Sequence, residues 1–144
     1  MIVDNTLVYS DSQAITATAA STNIVDVGAA GTAFGAAAAL ARDIGKATEI
    51  PLYVSVTQAF NNLTSLKVSF QSDDDPAFGT ANNTVAERTY AASELTLGAR
   101  LPFPAEIPEG TSGRYTRLNY TVTGTAPTTG KIFAGVVAAR QTNP

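Results

Sequence analysis

Cysteine, histidine and tryptophan are all missing from this chain of 144 residues, and methionine occurs once. Without cysteine there is no disulfide framework, no thiolate nucleophile and no soft-metal site. Without histidine the commonest general base and the commonest zinc ligand go too, and with them every Ser–His–Asp or Cys–His scheme. The expectation is a protein that is not an enzyme and carries no cofactor and no metal. Basic residues are few: nine Lys and Arg face twelve Asp and Glu, for a net charge of −3. A mildly acidic chain with scattered basic residues is a poor match for a phosphate backbone, so no nucleic-acid partner is expected. The start, Met1-Ile2-Val3-Asp4-Asn5, lacks the basic and apolar parts of a signal peptide. The longest weakly apolar run, Ala33 to Ala41, is too short to span a bilayer, and no membrane partner is expected.

What is present is a globule's share of apolar residues, 44%, with 25 Ala and 20 Thr. Threonine suits strands through its stiff branched side chain, whereas alanine does not. From Ile50 onward the dominant signal is alternation with period two, the mark of strands with one buried face. Leu52, Val54 and Val56 share one face of Ile50–Thr57, and Leu66, Val68 and Phe70 alternate with Lys67, Ser69 and Gln71. The Asn61-Asn62 pair between these runs predicts a turn, and the two strands read as an antiparallel hairpin. Arg114 to Val122 alternates again, with Leu118, Tyr120 and Val122 on one face. After a turn-rich stretch from Thr123 to Gly130, Ile132 to Ala138 is apolar on both faces. That predicts a second hairpin whose last strand is central or covered on both sides. Weaker strands are expected at Leu7–Tyr9, Ala14–Thr18, Ile24–Val27, Val85–Tyr90 and Ala99–Phe103. The prolines from Pro102 to Pro108 mark an edge or a long connection. Ala36 to Arg42 fits either a short helix or a small-residue loop. The fold class predicted is all-β, a jelly-roll antiparallel sandwich with at most one short helix, as one domain over 1–144.

Asp73-Asp74-Asp75 is the one acidic cluster, but it lacks the spacing of a calcium loop and reads as a solvated turn. Glu87, Glu94, Glu106 and Glu109 could supply a glycosidase pair, yet there is no Trp platform for a sugar. Arg114 and Arg117, beside Tyr115 and Tyr120, fit an interface, since Tyr and Arg dominate binding hot spots. For Tyr120 a core role is expected instead.

The segments Ala59–Val68 and Gln71–Asp74 form one half of a further pattern. Gly98–Pro102, Arg114–Ala126, Gly130–Ile132, Ala134-Gly135 and Gln141–Asn143 form the other, with Ile2-Val3-Asp4 at the opening. In order and spacing these segments resemble the capsid cement proteins of short-tailed phages, of the kind found on the Bordetella phage head. The resemblance implies a jelly roll on the outer surface of the virion, made in the bacterial host cytoplasm and bridging copies of a major capsid protein. It brings an expectation of self-association, as a dimer or alternatively a trimer. Extended arms at 1–7 and 140–144 would reach neighbours. The candidate interface residues are then Met1, Ile2, Val3, Asp4, Arg114, Arg117, Arg140, Gln141 and Asn143. The rival readings are a jelly-roll carbohydrate-binding module, another phage structural protein of the tail or fibre, and an enzyme using the acidic loop.

Overall fold

The computed structural model describes residues 2–28, 31–32, 34–38, 44–45, 49–79 and 83–140. Eight strands run through them: β1 (Val3–Ala14), β2 (Ala19–Ala20), β3 (Val25–Asp26), β4 (Leu52–Gln58), β5 (Leu63–Asp73), β6 (Thr84–Ala91), β7 (Tyr115–Gly124) and β8 (Lys131–Val137). One sheet has the order β1-β8-β4, and the other has β2-β7-β5-β6 with β3 also on β7. Every pairing is antiparallel. The alternation explains the layering. Leu52, Val54, Val56, Ile132 and Ala134 of the first sheet are buried against Leu66, Val68, Phe70, Leu118 and Tyr120 of the second. Two half-apolar sheets thus cover each other.

Past β4 the first sheet gains a further, irregular strand. Ser55 bridges Arg100 and Pro51 bridges Glu106. Leu101 N–H donates to Val54 C=O, and Leu52 N–H to Ala105 C=O. Pro102 and Pro104 cannot donate, which keeps this segment at the sheet edge and out of regular pairing. β2 and β3 lie on the same side of β7, at Tyr120/Asn119 and at Thr116/Tyr115, as two pieces of one interrupted strand. Counted so, four strand positions face four in the strand order of a jelly roll.

Several expectations need correction. Neither predicted hairpin forms, although all four strands do. β4 and β5 lie in different sheets, and so do β7 and β8. In each pair both strands turn an apolar face to the core, which a chain turning over a sandwich corner satisfies as well as a hairpin does. The corner wins because it lays one apolar face on the other. The two corners are bound together by Asn61. Its Oδ1 accepts from Thr128 N–H and Thr129 N–H at 2.9 and 3.0 Å, and its Nδ2 donates to Thr128 Oγ1 at 2.8 Å. The hairpin that does occur is β5–β6.

Residues 36–38 are not helical, and 39–42 lie outside the described residues; the described helical turn is Ala92–Glu94. β1 ends at Ala14, so Ile15–Thr18 is a connection, not a strand. β5 runs on to Asp73, which is buried. β8 is the central strand of its sheet, and Tyr120 is fully buried, both as expected.

The interior also holds polar groups. Tyr9 OH and Thr116 Oγ1 are 2.8 Å apart, as are Ser10 Oγ and Tyr120 OH, and each pair links β1 to β7 across the sandwich. Tyr90 OH donates to Phe103 C=O and accepts from Phe103 N–H, linking β6 to the irregular strand. Burial pushes the Tyr9 phenol up to about 12, and raises those of Tyr120 and Tyr90 as well.

Candidate interface

Strand direction gathers most of the nominated residues at one end of the sandwich. β7 begins and β8 finishes at the end opposite the Asn61 corners. Val3 pairs with Val137 there, and Ala138 N–H donates to Ile2 C=O. Asp26 pairs with Tyr115 at the same end, beside Asp73 of β5. Ile2, Val3, Asp4, Arg114, Arg117 and Arg140 therefore share this end, distributed over the two sheets. Met1, Gln141 and Asn143 lie outside the described residues.

The segment expected as an N-terminal arm is, over residues 3–7, the first part of β1. Ile2 stands 76% exposed beyond it. Asp4 accepts from both the N–H and the hydroxyl of Thr6, which holds its carboxyl below the usual range.

The arginines are already engaged within the chain. Arg114 forks onto Asp26, Nε to Oδ1 and Nη2 to Oδ2 at 2.8 Å each, and lies 4.9 Å from the centre of the Tyr115 ring. This joins β3 to the start of β7 while leaving the guanidinium half open to solvent. Arg117 covers the Phe78 ring at 4.0 Å and donates from Nε to Gln71 at 2.7 Å. Desolvation lowers its pKa, against the pull of Asp73. Arg140 bonds Ala105 C=O and pairs with Glu106 at 3.3 Å. An arginine whose fork is already set is a pre-organised contact, because less rotamer entropy remains to be lost on binding.

A cleft of roughly 390 Å³ opens beside these residues, lined by Ser72, Asp73, Asn83, Glu109, Thr111 and Gly113 among others. Asp73 and Asp74 at its wall, and Asp75 beside them, serve the backbone. Asp73 Oδ1 accepts from Asp75 N–H, Asp75 Oδ1 from Ala77 N–H, and Asp74 Oδ1 from Arg114 N–H. The first two bonds are Asx-turn chemistry that fixes the loop after β5, and the third ties that loop to the start of β7. Among the described residues no group of three or more acidic side chains is placed to hold a metal.

A family model described as Bbp16 matches residues 9–136, from β1 to β8. The chain belongs to the Bbp16 family. Its name is consistent with a Bordetella phage protein, which is where the resemblance of the sequence pointed. No curated protein matches this Bbp16 chain. The match spans the sandwich and both Asn61 corners, and it includes Arg114 and Arg117 but not Ile2–Asp4 or Arg140. What sequence reasoning missed is the polar interior. Tyr9 and Thr116 did occupy alternating positions beside apolar residues, and that was the available signal.

Proposed function

We propose that this Bbp16 protein is a capsid cement protein, binding the outer surface of a phage head and bridging neighbouring major capsid protein subunits. The observation that carries the reading is the family match over 9–136, taken with the sequence-wide likeness to phage cement proteins. The geometry supports it in one respect. Ile2 and the half-exposed guanidinium groups of Arg114 and Arg140 stand at one end of a rigid sandwich, where a single approach could engage them together. The work is binding, not chemistry. A ligand that binds only the assembled shell stabilises it by mass action, and many copies add up. A clamp across a seam gains most of its affinity from the second contact, through a high effective concentration.

The test uses purified protein, expanded heads stripped of it, and isolated coat subunits. Tight binding to heads and much weaker binding to subunits is expected, with stripped heads losing DNA sooner on heating. Equal affinity for heads and subunits would sink the bridging mechanism, and no binding to heads would sink the cement reading.

A further inference from the structure

We propose that the outer edge of β6 is a docking edge, which takes an extended segment of another protein carrying an acidic residue opposite Arg88. A sheet edge exposes unpaired N–H and C=O groups, and proteins usually blunt it. Three of the four edges here are blunted. On β1, Asn23 covers Tyr9 C=O and Val8 C=O, and the backbone kinks at Ser12, with φ of 49°. β2 and β3 are two residues each. The irregular strand beyond β4 carries Pro102 and Pro104. β6 has neither proline nor glycine in its eight residues, and it pairs with β5 in unbroken register from Ala86 to Ala91.

Which backbone groups are open follows from one bond. Ala91 N–H donates to the Glu94 carboxylate at 2.8 Å, so it points away from β5. In an antiparallel ladder alternate residues point their N–H and C=O groups to the same side. Glu87 and Thr89 therefore present both groups outward, and among the described residues no strand lies beside them. Glu94 plugs the edge at one end, and the register shift between Phe70 and Gln71 disturbs it at the other. What remains is a short window with Arg88 at its centre, on the face that carries buried Val68 and Tyr90, and an inward charge of this kind repels any strand that cannot pair it.

Charge decides the occupant. A second copy placed by a two-fold axis satisfies all the open groups when Glu87 faces the other copy's Thr89, and that register sets Arg88 against Arg88. Centring on Glu87 sets carboxylate against carboxylate, and centring on Thr89 sets Glu87 against Ala91, whose N–H Glu94 already holds. Like charges directly opposite destabilise a strand pair. Glu87 is already neutralised by Lys67 at 3.0 Å, whereas Arg88 stays exposed, lying along its own Tyr90 ring at 5.2 Å. A partner strand is favoured that places Asp or Glu opposite Arg88 and β-branched or polar residues beside it. Backbone bonds then give affinity and the central ion pair gives register.

This inference rests on the cement reading, in that the partner segment belongs to the shell. Thr89→Pro removes an outward N–H and leaves the ladder to β5 intact. It should bind stripped heads roughly ten-fold more weakly or worse, with an unchanged circular dichroism spectrum. Arg88→Glu should weaken binding likewise. Hydrogen exchange in the peptide covering 84–91 should slow when the wild-type protein sits on heads. Should Thr89→Pro unfold the protein, Arg88→Glu and the exchange measurement decide. A folded Thr89→Pro variant that binds as wild type does, or exchange at 84–91 that heads do not slow, overturns the docking edge and leaves the cement reading standing. A wild-type dimer that Thr89→Pro turns into monomer assigns the edge to a second copy and overturns the heterologous partner. Wild-type protein that ignores heads overturns both.

Discussion

Three tyrosine hydroxyls cross the gap between the sheets, and each is satisfied there. A buried hydroxyl without a partner costs more than its bond returns, so these pairs select one register of sheet on sheet. They also set the behaviour in alkali. Their native pKa values are raised, mainly by burial. Below pH about 10 both states keep the protons and the contribution is fully present. Above that the unfolded chain loses protons first, so stability falls as pH rises towards the value of about 12 held by Tyr9. Ultraviolet titration should show these tyrosines ionising together with unfolding. Smooth ionisation of all tyrosines in a chain that stays folded would contradict their burial. Tyr9→Phe should lower stability by about 1 kcal/mol in urea titrations, since it leaves Thr116 with only a long bond to Val25 C=O. At this scale the sequence was informative about apolar positions. Leu66, Val68 and Phe70 are all fully buried, whereas Lys67 keeps 35% of its side chain exposed. Val68→Asp should abolish the folded signal in circular dichroism, while Lys67→Asp, which loses the pair with Glu87, should cost about 1 kcal/mol or less and leave the fold intact; the reverse would mean a register off by one. The tyrosine–threonine and tyrosine–serine partners were not legible, because they join residues about a hundred positions apart.

Strands were easier to read than their partners. Alternation located β4, β5 and β7 within a few residues, since each has one buried face, and a run apolar on both faces located β8. Neither signal carried information on which sheet a strand joins, because a hairpin and a sandwich corner bury the same side chains. The corner depends instead on single contacts. Asn61 ties one corner to the other, and a Cβ on Gly130 would stand 2.3 Å from the Phe60 ring, at a φ of 142°. Asn61→Ala should cost roughly 1–3 kcal/mol, because two backbone N–H groups lose their acceptor. Gly130→Ala should cost a similar amount, about 1–3 kcal/mol, by forcing Phe60 aside. Urea midpoints of both variants check this; wild-type midpoints would mean the corners do not need the staple. The prolines of 102–108 gave the edge, and the strand expected at Ala99–Phe103 pairs there at isolated points only, because the segment is poor in donors.

Across the whole molecule most contacts join residues distant in sequence, as expected of a jelly roll. The acidic loop after β5 is spent on its own backbone, so neither EDTA nor excess calcium should move the thermal midpoint; a shift of many degrees would reveal a cation site. The all-β sandwich was legible from alternation and turn spacing. The interface was legible only as a set of residue types, because strand direction, not sequence order, brings Ile2, Arg114 and Arg140 to a common end. That same direction places the two ends of the described chain side by side, with Ala138 N–H bonded to Ile2 C=O. Adjacent ends mean that the strand order does not depend on where the polypeptide starts. Joining them through a short flexible linker and reopening the chain at Leu97, exposed in the turn after β6 at the far end, should give a circular permutant with the same spectrum. A passenger domain fused at the new opening would then stand at the pole away from Arg114 and Arg140, so this jelly roll could carry cargo on one pole while the other stays free to bind.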